Sequence, residues 1–226
     1  MKLQELSVYN PGQVQQLKKL VAQGEGASLE FKRKATNPEK IIREMIAFAN
    51  TSGGVLLVGI GDDRTIPGLK YPEDERHVIM EQLKNVRPAL PVSETFIPIG
   101  NSRTVLMYEI QESNRKPHCL ISENQTKDYF VRVEDKTIKA SREVREIIKQ
   151  KQRQRDIRFR YGEHEKFLMK YLAENNSITL KEFILASGLK RFYASNKLIL
   201  LVLANVLRII PHENGDLFTL AFGKFS

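Results

Sequence analysis

The chain has one cysteine, Cys119. An internal disulfide is therefore excluded, and so is a zinc site built on cysteines. A buried thiol in a cytosolic protein is the simplest reading. Long apolar runs are also missing. No stretch reaches the roughly 18 residues a membrane span needs, and residues 1–20 lack the apolar core of a secretory leader. The four histidines, His77, His118, His164 and His212, are scattered without metal-ligand spacing. Ser52 and Ser187 have no nucleophile context. There is no G-x-x-x-x-G-K-[ST] phosphate loop: Gly53-Gly54 runs on into Val-Leu-Leu-Val without a lysine, so nucleotide hydrolysis is not expected. No internal repeat or low-complexity tail occurs.

Basic charge is plentiful. Lys and Arg total 36 against 27 Asp and Glu, a formal net charge of +9. Such a surplus favours polyanionic partners, chiefly DNA or RNA. With 226 residues of ordinary apolar content, the chain has room for one full core and a small second domain.

The stretch from Phe48 to Asp63 organises the first part. It reads as a helix end, a glycine turn at Gly53-Gly54, a strand from Val55 to Val58 covered on both faces, and a polar turn. Asp62 and Asp63 stand at that strand's carboxyl end, a frequent place for chemistry in α/β architectures. Before it, Asn10-Pro11 and Asn37-Pro38 each signal a helix start, and Ser28 to Lys32 alternates as a short strand. A third helix is expected from Pro72 to Val86. After Pro88 the period changes, and residues 92–97, 105–110, 118–121 and 129–133 read as a meander of strands.

Beyond Ser141 a helix begins that becomes strongly basic, with six cations against one acid in residues 149–160. Residues 146–160 are read as a connecting helix between a core domain, 1–145, and a compact second domain, 161–226. In the latter, helices are expected at 163–175, 180–187 and 191–204, and strands at 206–211 and 217–222 joined by Asn214-Gly215. Three helices followed by a hairpin is the order of a small winged helix-turn-helix domain. The fold class expected overall is thus α+β, a mixed-sheet core followed by this domain.

Glu25, Glu30, Asp62 and Asp63 gather near the first strands. Carboxylates at one sheet end can hold a magnesium or manganese ion through oxygen ligands. On spacing alone the plainer reading is favoured: Glu30 an ordinary exposed strand residue and the aspartates a polar turn.

Gly24-Glu25, Leu29-Glu30-Phe31-Lys32, Ala47-Phe48-Ala49-Asn50-Thr51, Gly53-Gly54 and Val58-Gly59-Ile60 followed by Asp62 resemble the Schlafen AlbA-2 domain family. Lys116-Pro117-His118, Tyr129 to Val133 and Ala140-Ser141-Arg142 extend the resemblance, which covers residues 10–145. It implies an α+β nucleic-acid-binding core. Some bacterial members resemble transcriptional regulators with a winged helix behind it. The family has also been described as a divergent ATPase-like domain. Animal Schlafen proteins use two glutamates and an aspartate as a metal-dependent ribonuclease site, and the matching positions are Glu25, Glu30 and Asp62. Two residues depart from the pattern. Gly26 replaces the serine that usually follows the first glutamate, and Gly61 stands where an acid is common.

Two functions are carried forward. One is a cytoplasmic DNA-binding transcriptional regulator; the other is a divalent-metal nuclease. Phosphate contacts are expected from Lys32, Arg33, Lys34, Arg132, Lys136, Lys139 and the 149–160 stretch. In the second domain Lys190, Arg191, Tyr193, Ser195, Asn196 and Lys197 would open a recognition helix. Leu198 to Leu203 is apolar nearly all round, and the hairpin carries Glu213 and Asp216. These features argue instead for a homodimer through the 163–226 unit and the preceding helix.

Overall fold

A computed structural model of the chain describes residues 9–153 and 161–222. Two compact units divide it, residues 1–137 and 138–226. Among the described residues no helix is long and apolar enough to cross a membrane.

In the first unit, α1 (Pro11–Gln23) starts where Asn10 Oδ1 accepts from the Gly12 and Gln13 N–H groups. It buries Val14, Leu17 and Val21. Strand β1 (Leu29–Lys32) runs parallel to β2 (Gly54–Val58). β2 pairs antiparallel with β5 (Arg103–Ile110), and β5 with β4 (Ser93–Gly100). The sheet order is β1-β2-β5-β4. Side chains on β2 alternate between its two faces. Leu57 packs with α1, whereas Leu56 and Val58 pack with α2 (Pro38–Asn50). The expected two-face burial of this strand is what the structure has.

A second sheet, β3 (Val86–Arg87), β6 (Cys119–Ile121), β7 (Lys127–Val133) and β8 (Lys136–Lys139), is ordered β3-β6-β7-β8. Leu120 and Phe130 of this sheet share a core with α2, and so does Ile79 of α3 (Pro72–Leu83). Thus α2 meets both sheets, which explains why Ile41, Ile42 and the run Met45 to Ala49 are all buried.

Two expectations need correction. The third helix stops at Leu83, and Val86–Arg87 is a strand on β6, because Pro88 drives the residue before it towards extended backbone. The expected meander is two sheets: the chain leaves the first after Ile110 and returns at Cys119 to the second, which β3 began.

Helix α2 ends at a glycine turn. Gly53 has φ +77°, its N–H donates to Phe48 O at 2.8 Å, and a Cβ there would come within 2.8 Å of Ile110 O. Asn50, the helix's last residue, is buried. Its Oδ1 accepts the His118 N–H at 2.7 Å, and its Nδ2 donates to His118 O and Phe130 O, both at 2.9 Å.

His118 is itself fully buried, with Nδ1 2.8 Å from Pro88 O and Nε2 2.6 Å from Ser113 Oγ. Pro88 O can only accept, so Nδ1 carries the proton and Nε2 accepts from the serine: a neutral ring. Burial holds this imidazole below its ordinary value, outweighing the Pro88 bond. A depressed histidine leaves stability full above the unfolded value of about 6.5 and erodes it as pH falls towards the folded one. We expect the denaturation midpoint to drop between pH 7 and about 5. The profile of His118→Gln should be flatter over that range, and equal slopes would contradict the assignment.

The second unit holds α4 (Arg142–Gln152), α5 (Glu163–Glu174), β9 (Ile178–Thr179), α6 (Leu180–Ser187), α7 (Arg191–Leu203), β10 (Leu207–Ile210) and β11 (Leu217–Leu220). Its three strands are antiparallel in the order β10-β11-β9. A reciprocal cap opens α6: Thr179 Oγ1 accepts from Glu182 N, and Glu182 Oε2 accepts from Thr179 N.

Candidate nucleic-acid interface

Strand β1 and the first turn of α2 enclose a cavity of about 540 Å³. Glu25, Glu30 and Asp62 stand in its wall, together with Lys32, Arg33, Lys34 and Lys40. The parallel pairing of β1 with β2 is what brings them together, because Glu25 and Glu30 flank β1 while Asp62 follows β2. Arg33, Lys34 and Lys40 are exposed. Asn37 Oδ1, beside them, caps α2 through Lys40 N at 3.1 Å.

The three acids differ in environment. Glu25 Oε1 accepts the Phe31 N–H at 2.8 Å and braces the start of β1. Asp62 is exposed. Asp63, the other candidate for the third acid, is turned to Thr65, accepting its hydroxyl at 2.6 Å and its N–H at 3.1 Å. Those bonds hold the Asp63 carboxyl below its ordinary value.

Glu30 is buried and doubly bound. Oε1 is paired with Lys32 Nζ, and Oε2 takes Arg132 Nη2 at 2.7 Å. The same guanidinium gives Nη1 to Glu44 Oε2 at 2.7 Å and donates to Gly26 O at 2.8 and 3.2 Å. Thr137 also donates to Glu44 Oε2. Phe48 lies under Arg132, 5.1 Å from ring centroid to guanidinium carbon. Glu44 is raised above its ordinary carboxyl value by burial, with the Thr137 bond pulling the other way.

This arrangement does not fit the expected magnesium or manganese ion. Both Glu30 oxygens already face cations, and among the described residues no group of three acids, histidines or cysteines is placed to hold a metal.

Arg132, expected at phosphate, is buried between two glutamates and bonded to both; a phosphate cannot reach it without displacing them. Lys136 and Lys139 are exposed on β8 and do not line the cavity. Lys40 and Glu44 escaped the sequence reading. Glu44 left a signal, a lone acid within the apolar run from Ile41 to Ala49.

In the second unit, Lys190 and Arg191 are exposed as expected. Ser195, Asn196 and Lys197 are not free to read bases. Ser195 is buried, donates to Glu143 Oε1 and accepts from Arg142 Nη1 at 2.5 Å. Asn196 Oδ1 accepts from Arg142 Nη2 at 3.2 Å. Lys197 is paired with buried Glu165, whose other oxygen accepts Gly162 N at the start of α5. The apolar run on α7 is absorbed too: Leu198, Ile199, Leu201 and Val202 are buried with Ile147, Leu168 and Phe218. The surface invoked for a homodimer is therefore spent inside the unit. Asp216, on the hairpin, accepts from Ser141 Oγ at 2.5 Å and is not presented to a phosphate backbone. The cationic residues 154–160 lie outside the described residues.

Among solved structures, the N-terminal domain of an ATP-dependent DNA helicase RecG-related protein from Nitrosomonas europaea is similar over 47% of this chain and 80% of that one, at 24% identity and a TM-score of 0.38. The DIP2311 protein from Corynebacterium diphtheriae is similar over 92% of this chain, at 20% identity and a TM-score of 0.43; the match spans 38% of that chain. No curated protein matches. The Schlafen, AlbA_2 family matches residues 25–141, which takes in the acids of the cavity, α2 with Asn50, and β7 with Arg132. That match covers more than half of the 226 residues, and the chain belongs to the Schlafen AlbA_2 family.

Proposed function

We propose that this protein binds nucleic acid through the phosphate backbone, with the cavity between β1 and α2 as its main contact. One observation carries the reading: Arg33, Lys34 and Lys40 are exposed around a cavity whose buried carboxylate, Glu30, is already neutralised by Lys32 and Arg132. A polyanion entering there meets cations without facing an unscreened Glu30. The net charge of +9 and membership of the AlbA_2 family support the same partner. The second unit's order of helices and hairpin supports a winged-helix reading, hence a regulatory role on DNA. The inward pairing of Ser195, Asn196 and Lys197 argues for backbone contact over base readout there.

The test is the salt dependence of oligonucleotide binding. Log affinity should fall with log salt, with a slope near −1 for each phosphate neutralised. Replacing Arg33, Lys34 and Lys40 together by alanine should lower affinity and flatten that slope by up to about three. Binding indifferent to salt, or a triple variant that binds like the parent, would overturn the proposal.

A further inference from the structure

On the other unit, aromatic and basic side chains gather at the first turn of α7. Phe192 and Tyr193 are each 59% exposed, although their own unit has a core that takes Phe183 and Phe218 completely. Their rings meet edge to face, with centroids 5.7 Å apart at 79°. Arg142 reaches across from α4 and sets its guanidinium carbon 5.5 Å from the Phe192 centroid. Lys190 and Arg191 immediately precede the rings and are exposed. The acid next to Arg142, Glu143, is buried, accepts from Ser195 and lies 3.7 Å from Arg142 Nη1.

Two exposed aromatic rings preceded by two exposed cations, Lys190 and Arg191, suit a partner that is itself flat, aromatic and anionic. An uncharged apolar protein surface would leave the cations unanswered. A duplex would offer phosphates but keep its bases stacked out of reach, and the polar α7 side chains suited to base edges are tied to Arg142 and Glu165. We infer that Phe192 and Tyr193 form a stacking platform for unpaired bases, with Lys190 and Arg191 holding the flanking phosphates and Arg142, bound to Glu143, Ser195 and Asn196, bracing Phe192. Contact of this kind is tolerant of sequence, because every base has a π-face. The inference rests on the nucleic-acid reading above and adds a preference for single strands.

The full chain is the reagent. Its affinity is measured by anisotropy for a labelled single strand of about 20 nucleotides and for a duplex of equal length. Phe192→Ala with Tyr193→Ala should weaken single-strand binding about tenfold or more and change duplex binding by less than about twofold. Both rings are exposed, so the variant's melting temperature should match the parent's. The chain has no tryptophan, so Tyr193→Trp supplies a single emitter, and single strand should quench it where duplex does not. If the parent binds both oligonucleotides and the alanine variant binds single strand equally well, the platform is wrong and the cavity reading stands. If the parent binds neither at low salt, both fall. If the alanine substitutions leave oligonucleotide binding intact but abolish self-association or binding to anionic vesicles, the patch belongs to that occupant and the inference is overturned.

Discussion

Arg132→Met should be among the most damaging single substitutions in this protein, costing about 3–5 kcal/mol of folding stability. The guanidinium is 2% exposed and satisfies Glu30, Glu44 and Gly26 O at once. Removing it leaves two carboxylates buried, with Lys32 and Thr137 as the remaining partners. The expected loss is larger than the net worth of the ion pairs, because the intact cluster has already borne the cost of desolvating its charges. Two measurements separate this from lost packing. First, adding Glu30→Gln and Glu44→Gln to the methionine variant should recover much of the stability. Second, the deficit should depend on pH. Glu44 is already raised by burial, and losing Arg132 removes one of the influences that lowers it. A carboxyl raised on folding adds stability fully below its unfolded value and loses it as pH rises through the folded one. The gap between parent and variant should therefore narrow from pH 8 to about 5. A gap that is constant over that range, with no recovery in the triple variant, would mean the methionine simply packs badly. The functional consequence follows from position. Without Arg132, Glu30 presents more negative charge to the cavity it lines, and oligonucleotide binding should weaken even in the folded fraction.

Much of this site could be read from the chain, and the unread part has a common cause. The Asn-Pro starts of α1 and α2, the glycine turn and the two-faced strand β2 are local signals, and each was legible. The gathering of Glu25, Glu30 and Asp62 is legible from their places at the ends of two strands expected to pair, and the family's motif points to the same three; the parallel pairing of β1 and β2 brings them together. What local reading could not supply is which face of a strand turns inward. Tyr129 to Val133 announces a strand, but nothing nearby says that Arg132 meets Glu30, 102 residues away in sequence. The same holds in the second unit. Ser195 and Lys197 resemble free surface residues until Glu143 and Glu165 arrive from other helices. Leu198 to Leu203 is too apolar for helices α5 to α7 and the hairpin alone, and Ile147 of α4 completes the core that takes it. In both units, a charged or apolar residue was misplaced because its partner lay on another element.

Asn50→Ala should approach the same magnitude by a different route. The side chain satisfies three backbone groups: the N–H and C=O of His118 and the C=O of Phe130. Alanine leaves all three buried without that partner. At about 1–3 kcal/mol for each unsatisfied buried group, a total near 3–5 kcal/mol is expected after some relaxation. Asn50→Asp tests the hydrogen-bond account, since it nearly preserves shape. Its Oδ1 can still accept from His118, but the former amide now points a second oxygen at two carbonyl oxygens. Only a protonated carboxyl can donate, and to one of them. The aspartate variant should therefore be at least as unstable as the alanine variant at pH 8 and should gain on it as pH falls to about 5, since its carboxyl must be raised on folding. The contribution of His118 runs the other way. Aspartate as stable as asparagine at pH 8, or parallel profiles for alanine and aspartate, would defeat the argument. The link to function is through β7. Asn50 fixes Phe130, and neighbouring Thr51 Oγ1 accepts the Arg132 N–H at 2.9 Å, so the end of α2 sets where Arg132 stands before it reaches Glu30. Asn50→Ala and Arg132→Met should consequently be less than additive in both stability and oligonucleotide affinity.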